Sequence, residues 1–144
     1  MPTTAYTLSD IKAKAATVCA AKNFDFYFGE FDVNADISRS TKGKMIVMLF
    51  PEQCDINMKY EEDYQVQFWY FETFKTSTES RDAVAGIESA KAGMLSFLKS
   101  FVDRTNIINI RPGQQFPLRN FGYNLDKNKS ICCSCTLNIR VFNK

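Results

Sequence analysis

The segment "ICCSCTLNIRVF" constrains this chain more than any other. Ile131, Cys133, Cys135, Leu137, Ile139 and Val141 share one parity, while Cys132, Ser134, Thr136, Asn138 and Arg140 share the other. Successive side chains of a strand point to opposite faces, so this rhythm makes a strand with one buried and one wetter face. It also bears on why three cysteines stand within four positions. A structural zinc site needs four converging ligands, yet the chain has no histidine, and Cys19 and Cys54 lie in unrelated contexts. Neighbouring cysteines on a strand diverge. Cys133 and Cys135 therefore read as small core residues, with Cys132 on the opposite face.

Two more segments read as strands. "KMIVMLFP" is uninterruptedly apolar until Pro51, which predicts burial on both faces. In "YQVQFWYFETF", Tyr64, Val66, Phe68 and Tyr70 alternate with Gln65 and Gln67, and then Trp69 and Phe71 make the second face apolar as well. One end of that strand calls for cover on one side and the other end on both. We expect the second cover to come from beyond the domain's own helices. "FDFYFGEFDVNADI" reads as a long strand whose parity slips at Gly29, the natural seat of a β-bulge. The turn "SRSTKGK" follows it. "PEQCDINMKYEED" reads as a charged loop, residues 107–110 as a short strand, and "LDKNKS" as a hairpin tip.

Two segments carry helical periodicity. In "TLSDIKAKAATVCAAKN", Thr7 and Asp10 resemble a capping box, and Leu8, Ile11, Ala15 and Val18 form an apolar stripe. In the longer helix beginning "TSTESRDAVAG", Thr76 with Glu79 offers a cap. Its core stripe is expected from Val84, Ile87, Ala90, Met94, Phe97, Leu98 and Phe101. Gly86 and Gly93 each cost about 1 kcal/mol in a helix interior, which suggests close contact with a neighbouring element. The order is helix, three strands, helix, then two or three strands. We expect a single α+β domain over residues 1–144, with two principal helices on a mainly antiparallel sheet.

Charge is segregated although the formal net charge is only +2. From Glu52 to Glu72, six acidic residues face Lys59 alone, a net −5. From Arg104 onward, seven basic residues face only Asp126, a net +6. Such regions suit complementary surfaces on two copies of one chain. Glu61, Glu62 and Asp63 are candidates on the acidic side, and Arg111, Arg119, Lys127 and Lys129 on the basic side. Trp69 and Phe71 would add apolar area between copies. Aromatic residues make up 14% of the chain, enough to supply a large buried interface.

Catalytic chemistry is sparse. Without histidine, Cys54 lacks its usual base. The adjacent carboxylates Glu61 and Glu62 sit in a charged stretch where solvation explains them. "DVNADISRS" imitates a calcium loop through Asp32, Asn34 and Asp36, but Ile37 and Gly43 stand where glycine and glutamate are required. No glycine-rich phosphate loop occurs. We expect no enzyme, no cofactor and no metal. "MPTTAYTLSD" carries no signal pattern and "MIVMLF" is too short for a membrane span, so we expect assembly in a cytoplasm, with reduced cysteines and no membrane partner.

From "YTLSDIKAKAATVCAAKN" through "KMIVMLFP", "YQVQFWYFETF" and "STESRDAVAG" to "FGYNLDKNKSICCSCTLNIRVF", the order of elements resembles the tail terminator and neck ring proteins of tailed bacteriophages. The resemblance implies a non-enzymatic virion component of the neck or tail, closed on itself as a six- or twelve-fold ring. Its partners would be neighbouring neck, portal or tail proteins, with genomic DNA passing through the lumen without sequence-specific contact. The alternative is a nucleic-acid-binding or other small α+β binding module without enzymatic activity; a nucleic-acid binder would use Tyr64, Phe68 and Trp69 as a stacking platform, which requires them to be exposed.

Overall fold

The computed structural model describes residues 8–29, 42–57, 61–73, 83–102, 117–124 and 130–142. Among these residues the fold is α+β, with two helices and a six-stranded, mainly antiparallel sheet. Helix α1 (Leu8–Ala21) is followed by strands β1 (Asp25–Phe28), β2 (Lys44–Met48), β3 (Gln53–Asn57) and β4 (Glu61–Thr73). Helix α2 (Ala83–Phe101) and strands β5 (Leu118–Asn124) and β6 (Ser130–Phe142) complete the order. Across the sheet the strands run β1-β2-β4-β6-β5, and β3 continues the β2 side of β4.

The β4–β6 ladder is the spine, running from Glu61↔Phe142 to Thr73↔Ser130. Its two periodic sequences meet in phase: Phe68 faces Cys135, Tyr70 faces Cys133 and Val66 faces Leu137. These residues, with Ile46 and Met48 of β2, form the floor on which the helices lie. Cys133 and Cys135 are core residues as their parity predicts, and Cys132 stands on the other face, half-buried.

Helix α1 buries Ile11, Ala15, Val18 and Cys19, and it ends in a Schellman turn. Asn23 takes a φ of 60°, its N–H donates to the Ala20 carbonyl, and the Phe24 N–H reaches the Cys19 carbonyl at 2.8 Å. That turn sends the chain straight into β1 with Phe24 in the core. The Lys12 and Lys14 ammonium groups lie over the rings of Phe28 and Phe101, 5.1 and 6.0 Å from their centroids.

Helix α2 buries Ala90, Met94, Phe97, Leu98 and Phe101 as its stripe predicts. Val84 and Ile87 depart from it. They are 70% and 38% exposed. Gly93 sits where the helix crosses β4 most closely. A Cβ at that position would overlap the Tyr70 ring at Cζ, Cε2 and the hydroxyl. The helix can approach the strand this closely only without a side chain.

Three sequence expectations change. First, β1 pairs with β2 in parallel, from Asp25↔Met45 to Phe28↔Met48. A parallel pair cannot be closed by a tight turn, and residues 38–41 of the expected turn "SRSTKGK" lie outside the described residues. Gly29, the expected bulge, ends β1 with a φ of 131°; residues 30–37 of the expected long strand lie outside the described residues. Second, the expected charged loop contains a strand, β3, and the first residues of β4. Third, the second face of the sheet is closed within the single chain: Met45, Val47 and Phe71 are 4%, 0% and 3% exposed. The cover expected from a neighbour is not needed there. The short strand expected at 107–110, the caps Thr7 and Thr76, and the "LDKNKS" tip, apart from the bounding Ser130, also fall outside the described residues.

Candidate assembly surfaces

The β4–β6 ladder is about 40 Å long, thirteen residues at strand rise. Its two ends differ in kind. Toward Thr73 the sheet is broad, with β1, β2 and β5 in place and α2 above. Toward Glu61 it narrows, among the described residues, to a ribbon of three strands: β3, the start of β4 and the end of β6.

The ribbon is the acidic end. Glu52 and Asp55 are exposed, Glu62 and Asp63 are half-buried, and Glu61 opens β4. Asp55 of β3 lies directly opposite Asp63 of β4, which lies opposite Arg140 of β6. Like charges placed directly opposite across a strand pair are destabilising. Arg140 stands on the far side of Asp63, so Asp55 is the outer member of the row, with the Gln53 amide donating to it at 2.8 Å. Glu72, counted with the acidic segment in the sequence, leaves this group. It sits at the other end of β4, paired with Lys44 at 3.7 Å and accepting from the Ser89 hydroxyl.

The basic candidate that the described residues include, Arg119, lies on β5 opposite Ser134. By ladder register Ser134 faces Trp69, six residues along β4 from Asp63, or about 20 Å. Arg119 and Asp63 therefore share a face of the sheet without meeting in one chain. Strand β5 carries no acidic residue, and it is kinked between Arg119 and Gly122, where Asn120 takes a φ of 57° and its amide donates to Ser134. Arg111, Lys127 and Lys129 lie outside the described residues. The strand ends that flank Lys127 and Lys129, Asn124 and Ser130, sit at the end of the ladder opposite the acidic ribbon.

The aromatic candidates divide. Phe71 is buried within the chain and offers no area to a partner. Trp69 is half-buried and stacked on Phe71, with ring centroids 5.8 Å apart. The stacking platform of the alternative reading is not available as drawn, because Phe68 is fully buried between Phe97 and Phe101. Among the described residues, the exposed large apolar side chains are ones that sequence periodicity does not single out as surface: Phe50, Ile56, Val84, Ile87, Leu95 and Phe121.

The thiols have no activated member among those with displaced titration. Burial pushes Cys19 and Cys133 up to about 12 and Cys135 up to about 11. Cys132 and Cys135 have the spacing of a CxxC motif, but they point to opposite faces of β6. Cys54 is exposed on β3 beside the Tyr64 hydroxyl, which donates to Glu62 at 2.9 Å. Partial desolvation raises the Cys54 thiol, and the carboxylates of Glu62, Asp55 and Asp63 raise it further. That environment disfavours a thiolate, the opposite of what a nucleophile requires. No group of three or more potential ligands that could hold a metal ion occurs among the described residues, and no helix there is long and apolar enough to cross a membrane. The chain matches no known family model and no curated protein sequence.

Proposed function

We propose that the chain is a structural subunit that joins copies of itself head to tail into a closed ring, in the neck or tail of a phage particle around the DNA channel. The observation that carries this reading is the placement of opposite charge at opposite corners of one sheet. The acidic ribbon lies beside β3, on one edge and at one end, while Arg119 lies on the far edge toward the other end. The acidic ribbon and Arg119 do not meet within a chain, whereas between copies they form the two unlike patches that a heterologous interface requires. The apolar support expected from Phe71 is withdrawn by its burial, and exposed Ile56 and Phe121 take over that part. The phage setting rests on the order of elements, and the role carries no catalytic step.

Light scattering and electron microscopy of the purified protein test the reading. Closed rings of six or twelve copies are expected. Glu62→Lys with Asp55→Lys should weaken assembly, and Arg119→Glu should restore part of it. A species that stays monomeric from micromolar to millimolar concentration, with no ring in particles, overturns the proposal.

A further inference from the structure

Strand β3 is anomalous for a soluble domain. Gln53, Cys54, Asp55 and Ile56 are all exposed, so neither face of the strand is covered, and Ile56 shows 72% of its surface. Beyond its pairing with β4, β3 has no further strand at its outer side among the described residues. An edge of this kind is a template for another strand. The strand at the opposite edge of the sheet is β5, which likewise ends the order and carries exposed Arg119 and Phe121.

Resting on the ring reading, we propose that β3 of one copy pairs with β5 of the next, so that the sheet runs on from subunit to subunit. Strand direction supports this. β3 and β6 both run antiparallel to β4, and β5 runs antiparallel to β6, so β5 is antiparallel to β3. A second copy moved sideways across the sheet without being turned over therefore offers β5 to β3 in antiparallel register, the more stable mode. The same movement keeps the faces aligned. Arg119 arrives on the face that carries Asp55 and Asp63, where a cation relieves the facing carboxylates. Each edge also contributes one exposed apolar side chain, Ile56 on one and Phe121 on the other. A two-fold arrangement, β3 on β3, would instead bring Asp55 against Asp55.

Cys54 supplies a native handle for the test. Treat the full chain with a short bifunctional thiol reagent at mildly alkaline pH, as wild type and as Phe121→Cys and Arg119→Cys, and resolve the products by size under denaturing conditions. Ladders that extend past the dimer in either variant, linked through Cys54 and the new cysteine and missing from wild type, are the expected result. Asp55→Arg in the Phe121→Cys background should abolish the ladder, and adding Arg119→Asp should bring it back. Rings seen by microscopy without a ladder in either variant overturn the strand pairing and leave the ring reading standing. Wild-type dimers linked Cys54 to Cys54 overturn it in favour of β3 on β3. Monomers throughout overturn the ring reading and the pairing together.

Discussion

Strand β4 passes through two environments that have little in common. From Val66 to Phe71 it lies under α2 with β6 along one side and β2 beside Phe68 to Phe71 on the other, and Val66, Phe68 and Tyr70 are completely buried. From Glu61 to Gln65 it runs beside β3 and the end of β6, carrying carboxylates, and its described side chains there are only half-buried. Backbone pairing continues unbroken along the β6 side. The first stretch is held by apolar burial, while the second is held by its ladder and gains little from burial. A strand whose hydrogen bonds outrun its core is suited to carry surface away from the domain.

The largest expected effect tests that division directly. Phe68→Ala removes a ring packed on Phe97 and Phe101, and it should cost about 3–5 kcal/mol in denaturant unfolding. Ile56→Ala, also a large apolar truncation, should stay within about 0.5 kcal/mol, since its side chain is mostly in water. Equal losses at the two sites would show that β3 is part of the folding core. Loss of assembly without loss of stability in Ile56→Ala would sharpen the contrast.

A smaller effect is expected where α2 meets the covered half. Gly93→Ala forces a methyl group into the Tyr70 ring, which is buried and packed on Phe24, so about 1–3 kcal/mol should be lost. That sign is opposite to the usual gain from replacing a helical glycine. The Tyr70 hydroxyl is buried without a hydrogen-bond partner. Tyr70→Phe should accordingly be neutral or stabilise by up to about 1 kcal/mol. A clear loss in Tyr70→Phe, read in the same unfolding experiment, would mean that the hydroxyl is satisfied in solution.

What can be read from residues alone follows the same division. Side-chain rhythm reports which face is buried, and it locates Cys133, Cys135, the even-numbered face of β4 and both helices. Burial of β2 on both faces, at Met45, Ile46, Val47 and Met48, is equally visible as an unbroken apolar run. Rhythm is silent wherever burial is not the cause of structure. Strand β3 has none, because Gln53 to Ile56 meet water on both faces and owe their conformation to the β4 ladder. The parallel direction of β1 against β2 leaves no trace in the order of side chains. Val84 and Ile87 keep the stripe of α2 yet are exposed, and periodicity alone does not report where a stripe loses its cover. At the candidate surfaces, charge counting finds the acidic hairpin but wrongly includes Glu72, and it counts Arg140 with a basic region from which the register separates it.

Cysteine titration is the gentlest probe of the two halves. In the folded chain Cys19 and Cys133 ionise near about 12 and Cys135 near about 11, all raised by burial, whereas an unfolded thiol ionises at about 8.5. The folded state thus keeps protons that the unfolded chain gives up. Stability from these neutral thiols is complete below about pH 8.5 and is lost as pH rises toward the folded values. A series of urea midpoints should fall over that window, and Cys133→Ala should flatten the fall. Cys54 on the bare half is raised first by partial desolvation, against a hydrogen bond with Tyr64 that lowers it, and then by the carboxylates of Glu62, Asp55 and Asp63. It should therefore alkylate in the native protein, with a rate that climbs only above the ordinary thiol range and shifts to lower pH in Glu62→Gln. Cys19, Cys133 and Cys135 should label only when the chain unfolds. Native labelling of those three at the Cys54 rate, read peptide by peptide, would mean that the core opens as readily as the ribbon, and the two halves of β4 would then differ in composition alone.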